Sequence, residues 1–308
     1  MVSIGTRFLP VQGRWDDRLI SRRVLEIAAA IAVYALAYAA RAVRLNFLLP
    51  PPDRLSFGRA WALSGAATFL LQVIPFRGGE VASLALYRRE LAMSWSRTAS
   101  VFALVKLLDS AATLLVGLAG AALLARRRGA PVLGLAVALG VAAGAVTLLA
   151  LPLLGGKLLV WMAEKMPAAS RRRAVALDAA EGLRVAREKP AAYALALAGS
   201  VAFLAGHLAM FWLVMQGLGV KATLPGLAFA SFSSVLLTTV VPSPAGTFGP
   251  METGFAAALV LDGVTAGTGA AAAAVAHVLA TAVTGLLGLP LLWPLRRKGA
   301  EAPPGRPG

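Results

Sequence analysis

The feature that most constrains this chain is a series of apolar stretches, each long enough to cross a lipid bilayer as a helix. In lipid, backbone polar groups must be hydrogen-bonded within the protein, so spanning segments are either helices or the strands of a closed barrel. The stretches lack the polar–apolar alternation that barrel strands need. The sequence therefore predicts an all-α, polytopic membrane protein with long helices over residues 24–49, 96–124, 131–154, 191–217 and 265–293.

Charged residues make up only 14% of the chain, against about a quarter in soluble domains, and the net charge is +16. Most basic residues lie between the apolar stretches, as in loops that face the cytoplasm and anionic headgroups. The expected partners are therefore membrane lipids and not nucleic acid. Residues 1–23 carry too many charges for a cleaved signal peptide and are predicted to form a basic interfacial segment. Residues 296–308 are predicted to form a disordered tail.

The residue types exclude several kinds of chemistry. The chain has no cysteine, which excludes disulfides and thiolate metal sites. It has two histidines, no clustered metal-binding pattern and no phosphate-binding loop for nucleotides. We therefore expect no metal, no cofactor and no catalytic residue, and we expect any transport to be downhill or coupled to an ion.

Two short helices are each predicted to end in a break rich in proline and glycine. Residues 59–74 would form a helix of roughly 24 Å, shorter than the ~30 Å hydrocarbon core, and residues 224–241 are also short. Broken backbone persists at membrane depth only where it faces protein or a wet cavity, as in re-entrant helices. The residues expected to shape and gate the breaks are Pro75, Gly78, Gly79, Pro242, Pro244, Gly246 and Gly249.

The two halves of the chain repeat one pattern: a short helix, a break, a glutamate, and a long helix with polar residues near its middle. If the basic segments 157–189 and 296–298 are cytoplasmic, the two long helices run in opposite directions, which makes the repeat inverted. Paired interruptions of this kind indicate a transporter-like site between the repeats. The predicted organisation is a single transmembrane domain over 24–295, with repeat one at about 55–124, an interfacial helix at about 171–189 and repeat two at about 223–293.

Several polar side chains fall inside the apolar helices, where an unpaired charge is expensive. Arg41 and Arg44 are predicted either to extend toward the interface or to face a phosphate. Lys106 and Asp109, three residues apart, can pair on one helical face. His207 is interpreted as an ordinary interior residue.

The two breaks offer groups that suit a zwitterionic or cationic phospholipid headgroup. Free N–H groups at a half-helix start suit a phosphate, and free carbonyl groups at the other end suit an amine. Glu80 either binds substrate or pairs with Arg77 or Lys106 only to hold the fold. The predicted substrate-binding residues are Arg41, Arg44, Gln72, Arg77, Glu80, Lys106, Asp109, Glu252 and His277.

Four motifs combine these residues: Arg41-x-x-Arg44, Pro75-x-Arg77-x-Gly79-Glu80, Lys106-x-x-Asp109, and Pro242-x-Pro244-x-Gly246-x-x-Gly249-x-x-Glu252. Together they resemble the transmembrane region of the lysylphosphatidylglycerol synthase family, over roughly residues 20–295. Gln72 stands where that family commonly has asparagine, Lys106 departs from the usual residues before the aspartate, and Ala245 replaces a usual glycine. These departures bear on the substrate more than on the fold.

The resemblance implies a flippase-like, multi-pass protein of the bacterial cytoplasmic membrane. It would move or bind the headgroup of an anionic or aminoacylated phospholipid, or of a glycolipid, in a polar cavity between the repeats. Arg77 and Lys106 would then meet phosphate, and Glu80, Asp109 and Glu252 would meet an amine or a coupling cation.

Two alternatives remain open on the sequence. The chain could be a membrane subunit or enzyme of lipid or polyprenyl-linked glycan biosynthesis, or an anchor that binds a cytosolic transferase through residues 155–190. No counterpart of the family's soluble synthase domain follows Trp293, so aminoacyl-transferase activity is not expected. The glycine-rich helices 117–144 and 263–288 could pack within a monomer or between the protomers of a homo-oligomer.

Overall fold

The computed structural model of the protein describes residues 17–129, 131–168 and 170–300. Within these ranges the backbone forms eleven α-helices and one 3₁₀ turn, with no strand. The helices are α1 (Asp17–Leu48), α2 (Phe57–Val73), α3 (Gly78–Leu91), α4 (Trp95–Arg127), α5 (Pro131–Glu164), α6 (Arg171–Gly182), α7 (Arg184–Glu188), α8 (Pro190–Gly217), α9 (Leu224–Val240), α10 (Pro250–Val260) and α11 (Ala266–Ala300); the 3₁₀ turn is Pro51–Asp53.

Four helices in the described part of the chain are long and apolar enough to cross a membrane. They are α1, α4, α8 and α11, with spanning segments Arg22–Leu48, Trp95–Arg127, Pro190–Gly217 and Ala266–Trp293. The short helices α2 and α9 have 17 residues each, which at 1.5 Å per residue is shorter than the hydrocarbon core. The structure thus confirms the all-α, multi-pass prediction.

Both ends of the helical region extend further than predicted. α1 begins at Asp17 and not at residue 24, and α11 continues to Ala300, through the first residues of the predicted tail. Arginine and lysine are good helix formers, so a change from apolar to basic residues does not end a helix. The predictions for residues 1–16 and 301–308 lie outside the described residues.

The long helices pack across the two halves of the chain. α1 lies along α8, α4 packs against α9, and α11 packs against α2. Each half's long last helix therefore contacts the short broken helix of the other half. Each short helix also packs against the helix that follows its break, α2 against α3 and α9 against α10. Each break is therefore held between paired helices, with Ser243 buried and Pro75, Phe76 and Pro242 exposed.

The segment predicted as an interfacial helix is two helices, α6 and α7, that dock on the protein itself. α6 packs against α4 and α5, and Ala176, Ala180 and Leu183 are buried. Val175 and Leu177 remain 49% and 41% exposed. Part of the apolar side of this segment is therefore covered by the chain's own helices. Gly182 allows α6 to approach α4 closely, since a Cβ there would lie 2.6 Å from Ser100 Cβ.

Asp178 fastens α6 to the start of α4, because its carboxylate accepts hydrogen bonds from the hydroxyls of Ser94 and Ser96. Burial at this contact opposes ionisation, but the hydroxyl hydrogen bonds outweigh it and hold the pKa of Asp178 below its ordinary value. The stabilisation is thus fully present above pH ~4, where the unfolded carboxyl is also ionised, and is lost as the pH falls through the lowered pKa.

We expect Asp178→Ala to loosen α6 by roughly 1 kcal/mol at neutral pH, since these hydrogen bonds are charge-assisted but partly exposed. Amide exchange in residues 171–182 should speed up about fivefold, while exchange in α8 stays unchanged. Equal exchange in the variant and the parent at neutral pH would contradict this role of the carboxylate.

Candidate functional site

The first break lies between α2 and α3. α2 ends at Val73, and Phe76 and Arg77 have φ angles of 50° and 62°, the left-handed region that side chains other than glycine rarely adopt. α3 starts at Gly78 beside Ile74. A Cβ on Gly79 would lie 2.7 Å from the Cα of Leu71 and would also meet the Leu70 carbonyl. Gly79 is therefore the residue that allows α3 to fold back closely on α2.

The second break lies between α9 and α10 and contains Pro242 and Pro244. It is closed by Ser243, whose hydroxyl donates to the Phe248 carbonyl at 2.9 Å. Gly249 caps α10, and its N–H donates to Glu252 Oε2 at 2.6 Å. Glu252 is thus the third residue of α10, as Glu80 is the third residue of α3. The two glutamates occupy the same position relative to their breaks.

The two breaks are hydrogen-bonded to each other. The N–H of Phe76 donates to the Ser243 carbonyl at 3.1 Å, and the N–H of Thr247 donates to the Gln72 carbonyl at 3.1 Å. Thr284 on α11 donates to Gln72 Oε1 at 3.0 Å. Each break therefore satisfies backbone groups that the other leaves open, which lets irregular backbone persist among membrane helices. The sequence pattern placed the two breaks at corresponding positions of the two repeats, but it did not predict that they are in contact.

Gly246 sits at the point where the breaks meet. It has a φ of 69°, and a Cβ there would collide with the Gln72 carbonyl. We expect Gly246→Ala to destabilise the protein by about 3 kcal/mol, through left-handed strain and displacement of the two inter-break hydrogen bonds. The change should appear as a lower midpoint of thermal unfolding in detergent.

A matched control for that variant is Gly267→Ala. A Cβ at Gly267 meets only open space and the backbone is not left-handed. Its stability should stay within about 0.5 kcal/mol of the parent. If both alanine variants unfold at the parent's midpoint, the contact between the breaks does not depend on Gly246.

A buried ion cluster joins four helices beside the breaks. Arg41 of α1 pairs with Asp109 of α4 at 2.8 Å, and Arg44 pairs with the other oxygen of the same carboxylate. Arg41 also donates to Thr68 of α2, and Arg44 donates to Ser200 of α8, both at 2.7 Å. The cluster carries two positive charges and one negative charge.

This cluster excludes one of the two alternatives for Arg44 and corrects the pairing expected for Lys106. Arg44 is 2% exposed, so it does not extend to the interface. Lys106 forms no ion pair with Asp109 in the described part of the chain; its ammonium lies 5.6 Å from the centre of the Phe102 ring. Asp109 instead turns to α1, because two guanidinium groups provide several fixed donors to one carboxylate and Lys106 provides only a point charge.

The second half contains a hydroxyl–imidazole–carboxylate chain. His277 is fully buried; its Nδ1 lies 2.6 Å from Glu252 Oε1 and its Nε2 lies 3.0 Å from Thr247 Oγ1. Because an ionised carboxylate only accepts hydrogen bonds, Nδ1 carries a proton toward Glu252, and in the neutral imidazole Nε2 accepts from the Thr247 hydroxyl. Phe248 stacks on the imidazole with ring centres 3.9 Å apart. The imidazole is thus fixed in orientation and in tautomer.

A cavity of about 590 Å³ opens between these elements. α1, α4, α8 and α9 form most of its walls; the second break contributes Thr247, and Gln72 and Glu80 come from the helices that flank the first break. Its lining includes Arg41, Gln72, Glu80, Lys106 and Asp109, which are five of the predicted substrate-binding residues. The remaining four, Arg44, Arg77, Glu252 and His277, are not among the described lining residues; His277 reaches the cavity through Thr247.

The sequence interpretation missed the wall made by α8 and α9. His207, Ser231, Ser234 and Thr238 line the cavity there. The α9 residues follow one another at intervals of three and four, which places them on one helical face. That stripe of hydroxyls in an apolar helix is the signal that would have identified this wall. The lone His207 was instead interpreted as an ordinary interior residue.

The family model described as the lysylphosphatidylglycerol synthase TM region matches residues 17–288, which include the ion cluster, both breaks and all the residues of the cavity wall. Comparisons with curated proteins and with solved structures give no match. The chain therefore belongs to the lysylphosphatidylglycerol synthase transmembrane region family, a membrane protein family related to lipid biosynthesis or flipping.

Proposed function

We propose that this protein is a lipid translocase of the bacterial cytoplasmic membrane that binds a phosphate-bearing headgroup in its cavity. The observation that carries the proposal is a polar cavity of about 590 Å³ inside a bundle of apolar helices. Its size lies within the ~300–1,000 Å³ range of small-molecule sites. Ionisable residues at membrane depth make function the default explanation, because their burial is otherwise unfavourable.

The charges at the cavity favour an anion. Arg41 and Lys106 line the cavity together with Asp109 and Glu80, and Arg44, which pairs with Asp109 from outside the lining, adds a third positive charge beside it. One positive charge is therefore in excess, and a phosphodiester would neutralise it. The effective dielectric constant inside a bundle of apolar helices is lower than at the surface, so the attraction between this charge and a phosphate is stronger there. The phosphate of a headgroup is the anion that the bilayer supplies.

The contact pattern supports movement by two related halves. α4 packs on α9 as α11 packs on α2, and the two glutamates share one position after their breaks. On this basis we propose that the halves form an inverted repeat with re-entrant helices. Rocking of the halves about the hydrogen bonds between the breaks would expose the cavity to each leaflet in turn.

One observation favours a second candidate, a lipid-modifying membrane enzyme. The chain Thr247–His277–Glu252 has the geometry in which an imidazole accepts a proton from a hydroxyl nucleophile. The N–H of Thr247, however, is already bonded to the Gln72 carbonyl and is not free to stabilise an oxyanion. The translocase is therefore the first proposal. Turnover of a lipid substrate that ceases in Thr247→Val would favour the enzyme.

The translocase is tested in proteoliposomes that contain a fluorescent phospholipid, with dithionite quenching the outer leaflet. We expect the parent protein to accelerate exchange over empty liposomes, and Lys106→Gln to slow it about tenfold. The matched control is Lys157→Gln on α5, which removes the same charge from an exposed position away from the cavity. Exchange at the rate of empty liposomes with the folded parent protein would refute the proposal.

A further inference from the structure

The α8–α9 wall of the cavity contains two buried polar atoms without a partner among the described residues. Ser231 is 5% exposed and its Oγ makes no hydrogen bond; His207 is partly exposed, but its Nδ1 atom is buried and unpaired. Both residues line the cavity. A buried polar group without a partner costs about 1–3 kcal/mol, so such groups point to an absent hydrogen-bonding ligand.

The neighbouring hydroxyls on α9 are arranged as acceptors. Ser234 donates to the Ala230 carbonyl at 2.8 Å, and Thr238 donates to the Ser234 carbonyl at 2.9 Å. Because each hydroxyl uses its hydrogen on its own helix, only its oxygen lone pairs face the cavity. A ligand that bonds Ser234 and Thr238 must therefore supply donors, which O–H or N–H groups can do, whereas the unpaired Ser231 hydroxyl can donate or accept.

The charges decide between these two kinds of donor. Asp109 is neutralised by two arginines, Glu252 is bound to His277 and Gly249, and Glu80 is exposed. No described carboxylate at the α8–α9 wall is available to an ammonium group. An ammonium group at this wall would lack a counter-ion, because the cavity's two carboxylates, Asp109 and Glu80, belong to α4 and α3. Uncharged hydroxyls need no counter-ion.

We propose that Ser231 and His207 form a hydroxyl-binding subsite, and that the ligand is a lipid phosphate ester with an uncharged, hydroxylated headgroup. The proposal rests on the proposed function, which supplies the phosphate at Arg41 and Lys106. The shared chemistry has two membrane sources, a phospholipid with a polyol headgroup and a prenyl phosphate that carries a sugar. An aminoacylated or amine-bearing headgroup is disfavoured.

The test measures binding of short-chain lipids to the full chain in detergent by calorimetry. The probes are dioctanoyl phosphatidylglycerol, its methyl analogue dioctanoyl phosphatidylmethanol, dioctanoyl phosphatidylethanolamine and a short prenyl phosphohexose. We expect the hydroxylated lipid of the correct source to bind roughly tenfold tighter than the methyl analogue, since one or two hydrogen bonds to buried groups are gained. Whether the glycerol or the hexose probe binds tighter identifies the source.

The variants Ser231→Ala and His207→Phe should each remove most of that tenfold advantage and leave the affinity for phosphatidylmethanol unchanged. Phosphatidylmethanol binding also reports that the variant is folded. Ser233→Ala is the matched control, because Ser233 lies on the same helix but not among the cavity-lining residues.

Three results would overturn the proposal. Phosphatidylethanolamine could bind as tightly as both hydroxylated probes, or the hydroxylated probes could bind no tighter than phosphatidylmethanol. Alternatively, Ser231→Ala and His207→Phe could lower the affinity for phosphatidylmethanol as much as the affinity for the hydroxylated probes, which would show that the wall has only a structural role. In these cases phosphate recognition in the cavity would survive. Absence of binding by all four lipids would instead refute both this subsite and the proposed function.

Discussion

Asp109→Asn should be the most destabilising single substitution in the membrane region, by about 3–5 kcal/mol. The variant keeps the size of the side chain but leaves Arg41 and Arg44 as neighbouring buried cations without a counter-ion. Breaking a buried pair costs this much because the remaining charge stays desolvated. Thermal unfolding in detergent should show a midpoint lowered by on the order of 10 °C.

Two comparison variants sharpen that test. Asp53→Asn removes a carboxylate that also pairs with an arginine, Arg97 at 2.8 Å, but both side chains there are about a quarter exposed. Asp53→Asn should therefore lower the free energy of unfolding by less than about 1 kcal/mol. The triple change Arg41→Met, Arg44→Met and Asp109→Leu should recover much of the stability while abolishing anion binding. A midpoint for Asp109→Asn no lower than that of Asp53→Asn would contradict the cluster's role.

Glu252→Gln should reduce lipid exchange roughly 10- to 100-fold with the helical fold intact. The carboxylate fixes the His277 tautomer and accepts the Gly249 N–H at the start of α10. Glutamine keeps the size of the side chain but replaces two charge-assisted hydrogen bonds with weaker ones, a loss of about 1.5–3 kcal/mol. The dithionite assay gives the rate, and circular dichroism with the unfolding midpoint checks the fold.

The behaviour of Glu252→Gln distinguishes a role of the glutamate in lipid exchange from a purely structural role. Glu164→Gln at the exposed end of α5 should leave the exchange rate unchanged. If Glu252→Gln exchanges lipid at the parent rate, the chain from Glu252 to Thr247 only holds the second break. If it unfolds as Asp109→Asn is expected to, the glutamate is chiefly part of the fold.

The helices and the family were predictable from sequence because the evidence for them is local. Long apolar runs predict spanning helices wherever they occur, and the paired motifs around Glu80 and Glu252 lie in short stretches. The partners of Asp109 were not predictable in the same way. Lys106 was the nearest cation along the helix, whereas the arginines that pair with Asp109 come from α1, more than sixty residues away.

The remaining parts of the site depend on packing that the sequence does not record. The hydrogen bonds between the breaks join backbone atoms, so the identities of Phe76 and Ser243 carry no trace of them. Among these residues only Gly246 reflects the contact in the sequence, since a larger residue would collide with the Gln72 carbonyl. The inverted orientation of the halves and the gating role of the breaks stay predictions, to be tested by transport.

The bonds between the two breaks also bear on how the protein is made. Residues 72–77 are synthesised and inserted long before residues 243–247 emerge from the ribosome. Until then the Gln72 carbonyl and the Phe76 N–H lack the partners they have in the finished protein. Unpaired backbone groups are costly in lipid. Until the second half is made, the backbone of residues 72–77 must therefore be hydrogen-bonded to water or to an insertion factor. Co-translational insertion of this chain should thus be completed only when its last third arrives.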